Sequence, residues 1–410
     1  MKPLRIAFVV GVFPTISETF ISNQISFLKQ SGHKVTILCT RHILEDGVAN
    51  NNKVSKDLLG SALEFNWRSF MPLNKIKRLK SIIKILSNSI LTSCFYVLIK
   101  CFNPFKYKHN ALNGHQFFKA YYKLFFEVSN FDIIHIHFGD NAVHLLNQLQ
   151  SVKSKIIVTF HGYDANKFNS SFYKNLQDLT QIVYTANTNY TKQKMINLGF
   201  DATKIFILPV SLDTSFFKPN KKAHSVFNIL FIGRLVSFKA PLLSIRIIEE
   251  LINTTNINVH LYLIGDGVEF KKCSDYIISK NLEGHITLYG SLNQNSIKDI
   301  MNQADVLLSP GIIDDLGRCE NQGLVIQEAQ AMELPVIISD VGGMKEGIIA
   351  GKTGFVVPEK DVDVFVERIL FLINNPNKRK EMGQAARRFV KKHYDNCVLG
   401  TQLLELYHKN

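Results

Sequence analysis

The stretch from Ser309 to Gly343, SPGIIDDLGRCENQGLVIQEAQAMELPVIISDVGG, leaves a chain few ways to fold. An apolar run, Val306-Leu307-Leu308, stops at Ser309-Pro310, as a buried strand stops at a loop. The loop carries Asp314, Asp315 and Glu320. A helical pattern starts near Gln322-Gly323, with Leu324, Ile326, Ala329, Ala331 and Met332 as its apolar members. It ends before Leu334-Pro335, because proline disfavours helical geometry in the residue before it. A second apolar run, Val336-Ile337-Ile338, ends at Gly342-Gly343. This strand–loop–helix–strand unit belongs to an α/β fold, and ligands of open α/β sheets bind at the carboxyl edge. A helix N-terminus there offers unpaired N–H groups and a positive dipole end, which suits phosphate. Glu320 and Glu328, with seven residues between them, place one carboxylate before those amides and one beside them. Ionised carboxylates only accept hydrogen bonds, so they suit sugar hydroxyls, and the combination points to a nucleotide-sugar. An ordinary crossover with a solvated acidic loop is the competing reading.

The same alternation recurs along the chain. Strands are expected at Arg5–Val10, Lys34–Leu38, Phe131–Asp140, Lys155–Thr159, Gln181–Tyr184 and Lys204–Leu208. After a polar Asn220-Lys221-Lys222 they resume at Phe227–Ile232, Val259–Ile264, Ile286–Tyr289, Asp305–Leu308 and Val336–Ile338. Ser17 is a plausible N-cap for a first helix ending near Gly32. The tail from Val362 reads as helical. At 410 residues the chain suggests two or three domains. The first is placed at 1–215 and the second at 222–393, with a last helix at 394–410 packing back on the first. The N-terminus reads as a buried strand and makes a poor signal peptide. Six scattered cysteines without metal-ligand spacing fit a reducing compartment.

The motifs together resemble the retaining GT-B glycosyltransferases with an E-x7-E signature, the group numbered family four. FPTISETFI (Phe13–Ile21) resembles its exopolysaccharide and colanic-acid-type subgroup. His161-Gly162-Tyr163-Asp164 after a strand resembles its HGxD motif. Gly233-Arg234 followed by Lys239 matches its glycine-arginine and lysine. The resemblance implies two Rossmann-like domains facing a central cleft. It makes His161, Arg234, Lys239 and Glu320 catalytic: His161 meets the donor sugar, Glu320 binds its hydroxyls, and the two cations stabilise a leaving diphosphate. Donor-binding residues would be Gly11, Gly233, Asn321, Gln322, Gly323, Leu324, Val325 and Glu328, the last on the ribose. Ser17, Glu18 and Asp164 would lie on the acceptor side. Ala240-Pro241 stands where the family has glycine after the lysine, and Ser211 where it usually has glycine. Asp314-Asp315 lacks the geometry of a DxD motif, so neither a metal nor any other cofactor is expected.

One segment falls outside the resemblance. A net charge of +14 is concentrated in residues 65–126, which contain eleven Lys and Arg before the first acid at Glu127. Cations interleaved with large apolar side chains are what an in-plane membrane helix shows, with Lys75, Lys77, Arg78, Lys80 and Lys84 facing the lipid. A helical insert with a solvated basic face is the blander reading. The most apolar run, Ile85–Ile99, is short of the ~20 residues of a membrane span and is broken by Ser and Asn. The resulting expectation is an enzyme moving a sugar to a glycan acceptor, polyprenyl-diphosphate-linked, in bacterial surface polysaccharide synthesis. It would be cytoplasmic and peripheral at the inner membrane face, with no nucleic-acid partner. A non-catalytic nucleotide-sugar or glycan-binding protein, or a nucleotide-sugar epimerase on the same fold, is the alternative.

Overall fold

The computed structural model describes residues 2–15, 18–42, 62–64, 74–86, 95–107, 113–220 and 224–409. They cluster into two compact units: Met1–Ala186 with Lys194–Phe206, and Asn187–Gln193 with Ile207–Asn410. The division falls ahead of the polar Asn220 region. The last helix, Asn396–His408, falls in the second unit, where Leu212 N–H donates to Tyr394 O (3.0 Å) and Asn396 N–H donates to Leu212 O (3.0 Å).

Among the described residues of the first unit, β1 (Arg5–Phe13), β2 (Lys34–His42), β3 (Ala62–Glu64), β4 (Ile133–His137), β5 (Lys155–Phe160), β6 (Ile182–Ala186) and β7 (Ile205–Ile207) form one sheet in the order β3-β2-β1-β4-β5-β6-β7. The second unit repeats the plan with β8 (Phe227–Ile232), β9 (Val259–Ile264), β10 (Ile286–Gly290), β11 (Val306–Ser309), β12 (Val336–Ser339) and β13 (Gly354–Val357), ordered β10-β9-β8-β11-β12-β13. The strand pairs are parallel. Helices cover both faces of such sheets, so the strands read as continuous apolar runs. In the second unit the period of two is explicit. Ile229 and Phe231 of β8 enter one core with Ile245, Ile248, Phe365 and Ile369; Leu230 enters the other with Ile326, Ala329, Leu307 and Ile338. Each side chain of this size, fully buried, contributes about 1.5–3 kcal/mol.

Both sheets reverse their winding direction at one place, between β1 and β4 in the first and between β8 and β11 in the second. Crevices for ligands open at the carboxyl ends of strands beside such a switch point. β3 was not foreseen, being three residues long and lacking a periodic pattern. The helical tail is interrupted at Asn375-Pro376 and again at Tyr394-Asp395, giving helices Val362–Asn374, Pro376–His393 and Asn396–His408. Among the described residues no helix is long and apolar enough to cross a membrane.

Candidate functional site

In the second unit, β8 ends at Ile232 and the chain turns through Gly233 and Arg234 into a single 3-10 turn, Ser237–Lys239. Gly265, at φ +144°, lets this turn lie against the loop after β9, since a Cβ there would stand 1.8 Å from Gly233 O. Ala240 takes φ 53° and ψ 52°, left-handed geometry that a glycine would adopt freely. The backbone therefore keeps the shape the family glycine serves, with Pro241 at the first turn of the next helix. Arg234 is exposed and lies 6.0 Å from the Phe238 ring centroid. Lys239 folds back over Gly233 and its Nζ contacts Glu320 Oε2; both side chains are 17% exposed. Desolvation, and then the Arg234 guanidinium, push the Lys239 ammonium down to about 8. The Glu320 carboxylate in contact is the counter-charge that favours the protonated form of Lys239.

Glu320 sits in the loop after β11, and Gly342 fixes its backbone. At φ +58°, Gly342 comes so close that a Cβ would stand 1.8 Å from Glu320 O. The helix Leu324–Ala331 follows, with Gly323 (φ 65°) as its left-handed N-cap. The N–H groups of Leu324 and Val325 lack intrahelical partners by geometry and point out of this end. Glu328, one turn further, is half-buried, and desolvation raises its carboxyl to about 7. Arg234, Lys239, Glu320 and the amides at 324–325 thus gather where β8 and β11 diverge. Two expected donor residues are otherwise occupied. The Gln322 side chain is buried and clamps Val210, accepting from its N–H (2.6 Å) and donating to its C=O (2.8 Å). Asn321 Oδ1 accepts from Thr191 Oγ1 (3.2 Å). Gln322 can therefore lend a ligand only its backbone, whereas Asn321 has its side-chain oxygen engaged.

The acidic loop has an organising centre that the sequence reading missed. Asp314 accepts from Ser237 Oγ (2.7 Å) and Arg318 Nε (2.9 Å), and from the N–H groups of Leu316 and Arg318. Burial works against its ionisation, but these bonds outweigh it and hold the carboxyl at about 2. Arg318 also stands 5.8 Å from the Phe238 centroid. An Asp–Arg pair four residues apart was the available signal. Among the described residues no group of three or more His, Cys, Asp or Glu side chains could hold a metal ion.

In the first unit His161 follows β5. Its Nε2 lies 3.0 Å from Nδ1 of His137 on β4, and the rings stack at 5.3 Å and 12°. Phe20 and Phe138 flank it at 4.9 and 4.6 Å. Phe138 holds φ 69°, an uncommon value for a bulky residue. Asp164 is fully buried, and its carboxylate accepts from Gly139, His161, Gly162 and Ala165 N–H at 2.8–3.1 Å. Burial pushes it up to about 7 while the amides pull the other way. Asp164 therefore holds the His161 loop in shape and cannot touch an acceptor. Gly11 lies inside β1, where a Cβ would meet nothing within 4 Å among the described residues. Glu18 precedes the helix Thr19–Gln30, half-buried and with its carboxyl raised by burial; Ser17 lies outside the described residues.

Comparison with known proteins gives the class of enzyme. A family model described as "Glycosyl transferases group 1" matches residues 213–389, and one described as "Glycosyltransferase Family 4" matches residues 92–216. The chain is a glycosyltransferase built of these two domains. Full-length relatives agree: this glycosyltransferase is 23% identical to AmsK of Erwinia amylovora, named for amylovoran biosynthesis, and 23% identical to WcaL of Salmonella typhimurium, named for colanic acid biosynthesis. Each alignment covers 98% of this chain and 99% of the relative. A glycosyltransferase of Methanocaldococcus jannaschii is 32% identical, over 42% of this chain and 46% of its own. Among solved structures, a glycosyltransferase from Rickettsia africae superposes with a TM-score of 0.71 at 20% identity, covering 99% of this chain and 98% of that one. TarM superposes with a TM-score of 0.74 at 15% identity, covering 99% of each chain. The fold of this glycosyltransferase is GT-B.

Proposed function

We propose that this glycosyltransferase moves a sugar from a nucleotide-sugar to a glycan acceptor in bacterial surface polysaccharide synthesis, with retention at the anomeric carbon. The observation carrying the reading is the gathering of Arg234, Lys239 and the Leu324 and Val325 amides at one switch point, with Glu320 in contact with Lys239. A departing diphosphate gains negative charge, and fixed cations and amides that meet it lower the barrier. A diphosphate that takes over Lys239 frees the Glu320 carboxylate to accept from sugar hydroxyls. In this reading Glu328 accepts from the ribose hydroxyls. Relatives named for amylovoran and colanic acid biosynthesis support the glycan acceptor, and a structural neighbour, HepE of Anabaena, is described in complex with UDP-glucose. Because Arg234 and Lys239 supply the charge, transfer should survive EDTA.

The basic segment supports work at the inner membrane face on a lipid-linked acceptor. On the helix Lys75–Leu86, Ile76, Leu79 and Ile83 share one face and are 67%, 60% and 58% exposed, with exposed Lys75, Lys77 and Lys80 around them. Arg78 is half-buried and its Nη1 donates to Asn113 O (2.9 Å), so it anchors the helix instead of facing lipid. The side chain of Lys84 lies outside the described residues. Sedimentation with vesicles rich in phosphatidylglycerol should fall at least tenfold for Leu79→Asp; unchanged sedimentation removes the membrane reading.

The first test is a panel of UDP-, GDP-, dTDP- and CMP-sugars, read by thermal shift and nucleotide release, with Glu320→Ala alongside. Binding to the folded state alone raises the melting temperature. One donor giving a shift and a release that Glu320→Ala loses is the expected result. No shift with any donor would favour the non-catalytic binding reading.

A further inference from the structure

The Lys239 ammonium stands on one 3-10 turn, Ser237–Lys239, and each residue of that turn is tied to the loop after β11. Ser237 Oγ donates to Asp314 Oδ2 (2.7 Å), Ile312 N–H donates to Phe238 O (2.9 Å), and Lys239 Nζ contacts Glu320 Oε2. A turn this short does not hold its own shape, because it fixes several dihedral angles for one hydrogen bond. The shape is imposed from outside, by these three ties and by the loop after β9. There Leu235 N–H donates to Asp266 O (2.8 Å), and Leu235 O accepts from Glu269 N–H (2.9 Å). A lysine has a flexible four-carbon stem, so the backbone beneath it decides where its charge points.

The three ties to the β11 loop do not persist alike. In the proposed function a diphosphate takes Lys239 from Glu320, so that contact is given up when the donor binds. The bond between Ile312 and Phe238 belongs to the main chain. Of the three, the Ser237–Asp314 bond is the side-chain tie that a donor has no need to break.

Asp314 is suited to holding and not to touching a ligand. It is buried, and a carboxylate offers about four lone-pair sites. Oδ1 accepts from the N–H groups of Leu316 (3.1 Å) and Arg318 (2.9 Å); Oδ2 accepts from Ser237 Oγ and from Arg318 Nε (2.9 Å), with Arg318 Nη2 at 2.7 Å. None of those sites is left for a sugar hydroxyl. The paired guanidinium also offsets the negative charge, so Asp314 can stand close to a diphosphate without repelling it. Its own backbone is closed into a turn, Asp314 N–H donating to Arg318 O (3.0 Å) and Gly317 N–H to Asp314 O (2.7 Å).

We infer that Asp314 is a positioning residue for Lys239: through the Ser237 hydroxyl it holds the turn that aims the ammonium, so the cation keeps its place while Lys239 exchanges Glu320 for a phosphate. The inference rests on the proposed reading that Lys239 meets the donor's diphosphate. A cation already in place needs no reorganisation when the leaving group develops its charge.

A double-mutant cycle on nucleoside diphosphate affinity tests this, with the full chain titrated calorimetrically with UDP, GDP, dTDP, ADP and CDP. Asp314→Asn strands Arg318 and need not fold, so the cycle is built on Ser237, whose loss leaves the Asp314–Arg318 turn whole. Ser237→Ala should weaken the diphosphate that wild type binds by about tenfold, and Ser237→Thr, which keeps the hydroxyl, should recover most of that loss. In a Lys239→Ala background the same Ser237→Ala change should alter affinity by less than about twofold, because the tie has no ammonium left to aim. Equal losses in the two backgrounds overturn the inference. So does a Ser237→Ala protein that binds as wild type does, whatever its melting temperature, for the bond would then serve stability alone. Lys239→Ala binding as tightly as wild type, or a wild type that binds none of the five, sinks the reading of Lys239 and the inference with it.

Discussion

The loop after β5 in the first sheet and the loops after β8 and β11 in the second all leave the carboxyl ends of parallel strands, yet they are built from opposite chemistry. The first is neutral and aromatic at its working end: His161 between Phe20 and Phe138, braced by a second imidazole. The pair of loops in the second sheet is ionic: Arg234 and Lys239 after β8, Glu320 after β11, with Asp314 and Arg318 paired beside them. A nucleotide-sugar has the same division, a neutral polyhydroxy ring at one end and a charged diphosphate next to it. The two sheets share one plan, and the difference in chemistry lies in a handful of side chains on their loops.

That contrast can be broken by activity. Lys239→Ala removes fixed charge where the diphosphate departs and should lower donor-dependent nucleotide release by about 10²–10³. His161→Ala, losing one neutral hydrogen bond, should cost only about tenfold. Equal losses in the two variants would mean that the ionic and neutral loops do not divide the work as proposed.

Much of this was legible in the chain. Most strands were visible as apolar runs, because strands buried on both faces need no alternation, and Ser309–Gly343 announced its βαβ unit through Pro310, Pro335 and Gly342-Gly343. The charged loop was legible too, since Arg234, Lys239 and Glu320 are types that rarely stand at a strand end without a partner. What stayed hidden depended on distance along the chain. Nothing near Gln322 tells that its carboxamide will meet Val210, 112 residues earlier. Nothing in the run Ile133–His137 separates a histidine that packs from one that braces another 24 residues on. The basic segment gave its composition but not its facing, so Arg78 was counted with the lysines although its guanidinium turns back to Asn113.

Acidity sharpens the same comparison by a smaller effect, because the histidines of the first unit and Glu328 of the second answer it with opposite sign, while Asp164 in the first unit shares the sign of Glu328. In the first, His135 and His161 have folded-state pKa values near 3, below the unfolded value of about 6.5. Between these limits the unfolded chain binds more protons, so stability rises with pH, by at most about 1.4 kcal/mol per unit for each histidine. In the second, Glu328 is raised to about 7, so between about 4.5 and 7 the folded chain binds the extra proton and stability falls as pH rises. Glu328→Gln should therefore raise the melting temperature of the free protein more at pH 8 than at pH 5. With allowance for partial exposure, the difference should be about 1–2 kcal/mol. Melting curves of wild type and variant at the two pH values check this, and a gain of the same size at both would show that Glu328 is not the group responsible.

The turn at Ala240 settles when free energy is spent. A left-handed alanine costs about 1 kcal/mol, and the chain meets that cost once, as it folds, through the helix that starts at Pro241 and the N–H groups of Leu243 and Ser244 that bond Ala240 O. Lys239 is the residue immediately before it. By the time any phosphate arrives, the backbone under that ammonium has already been bent to shape, so a ligand's own affinity is not diminished by the bending.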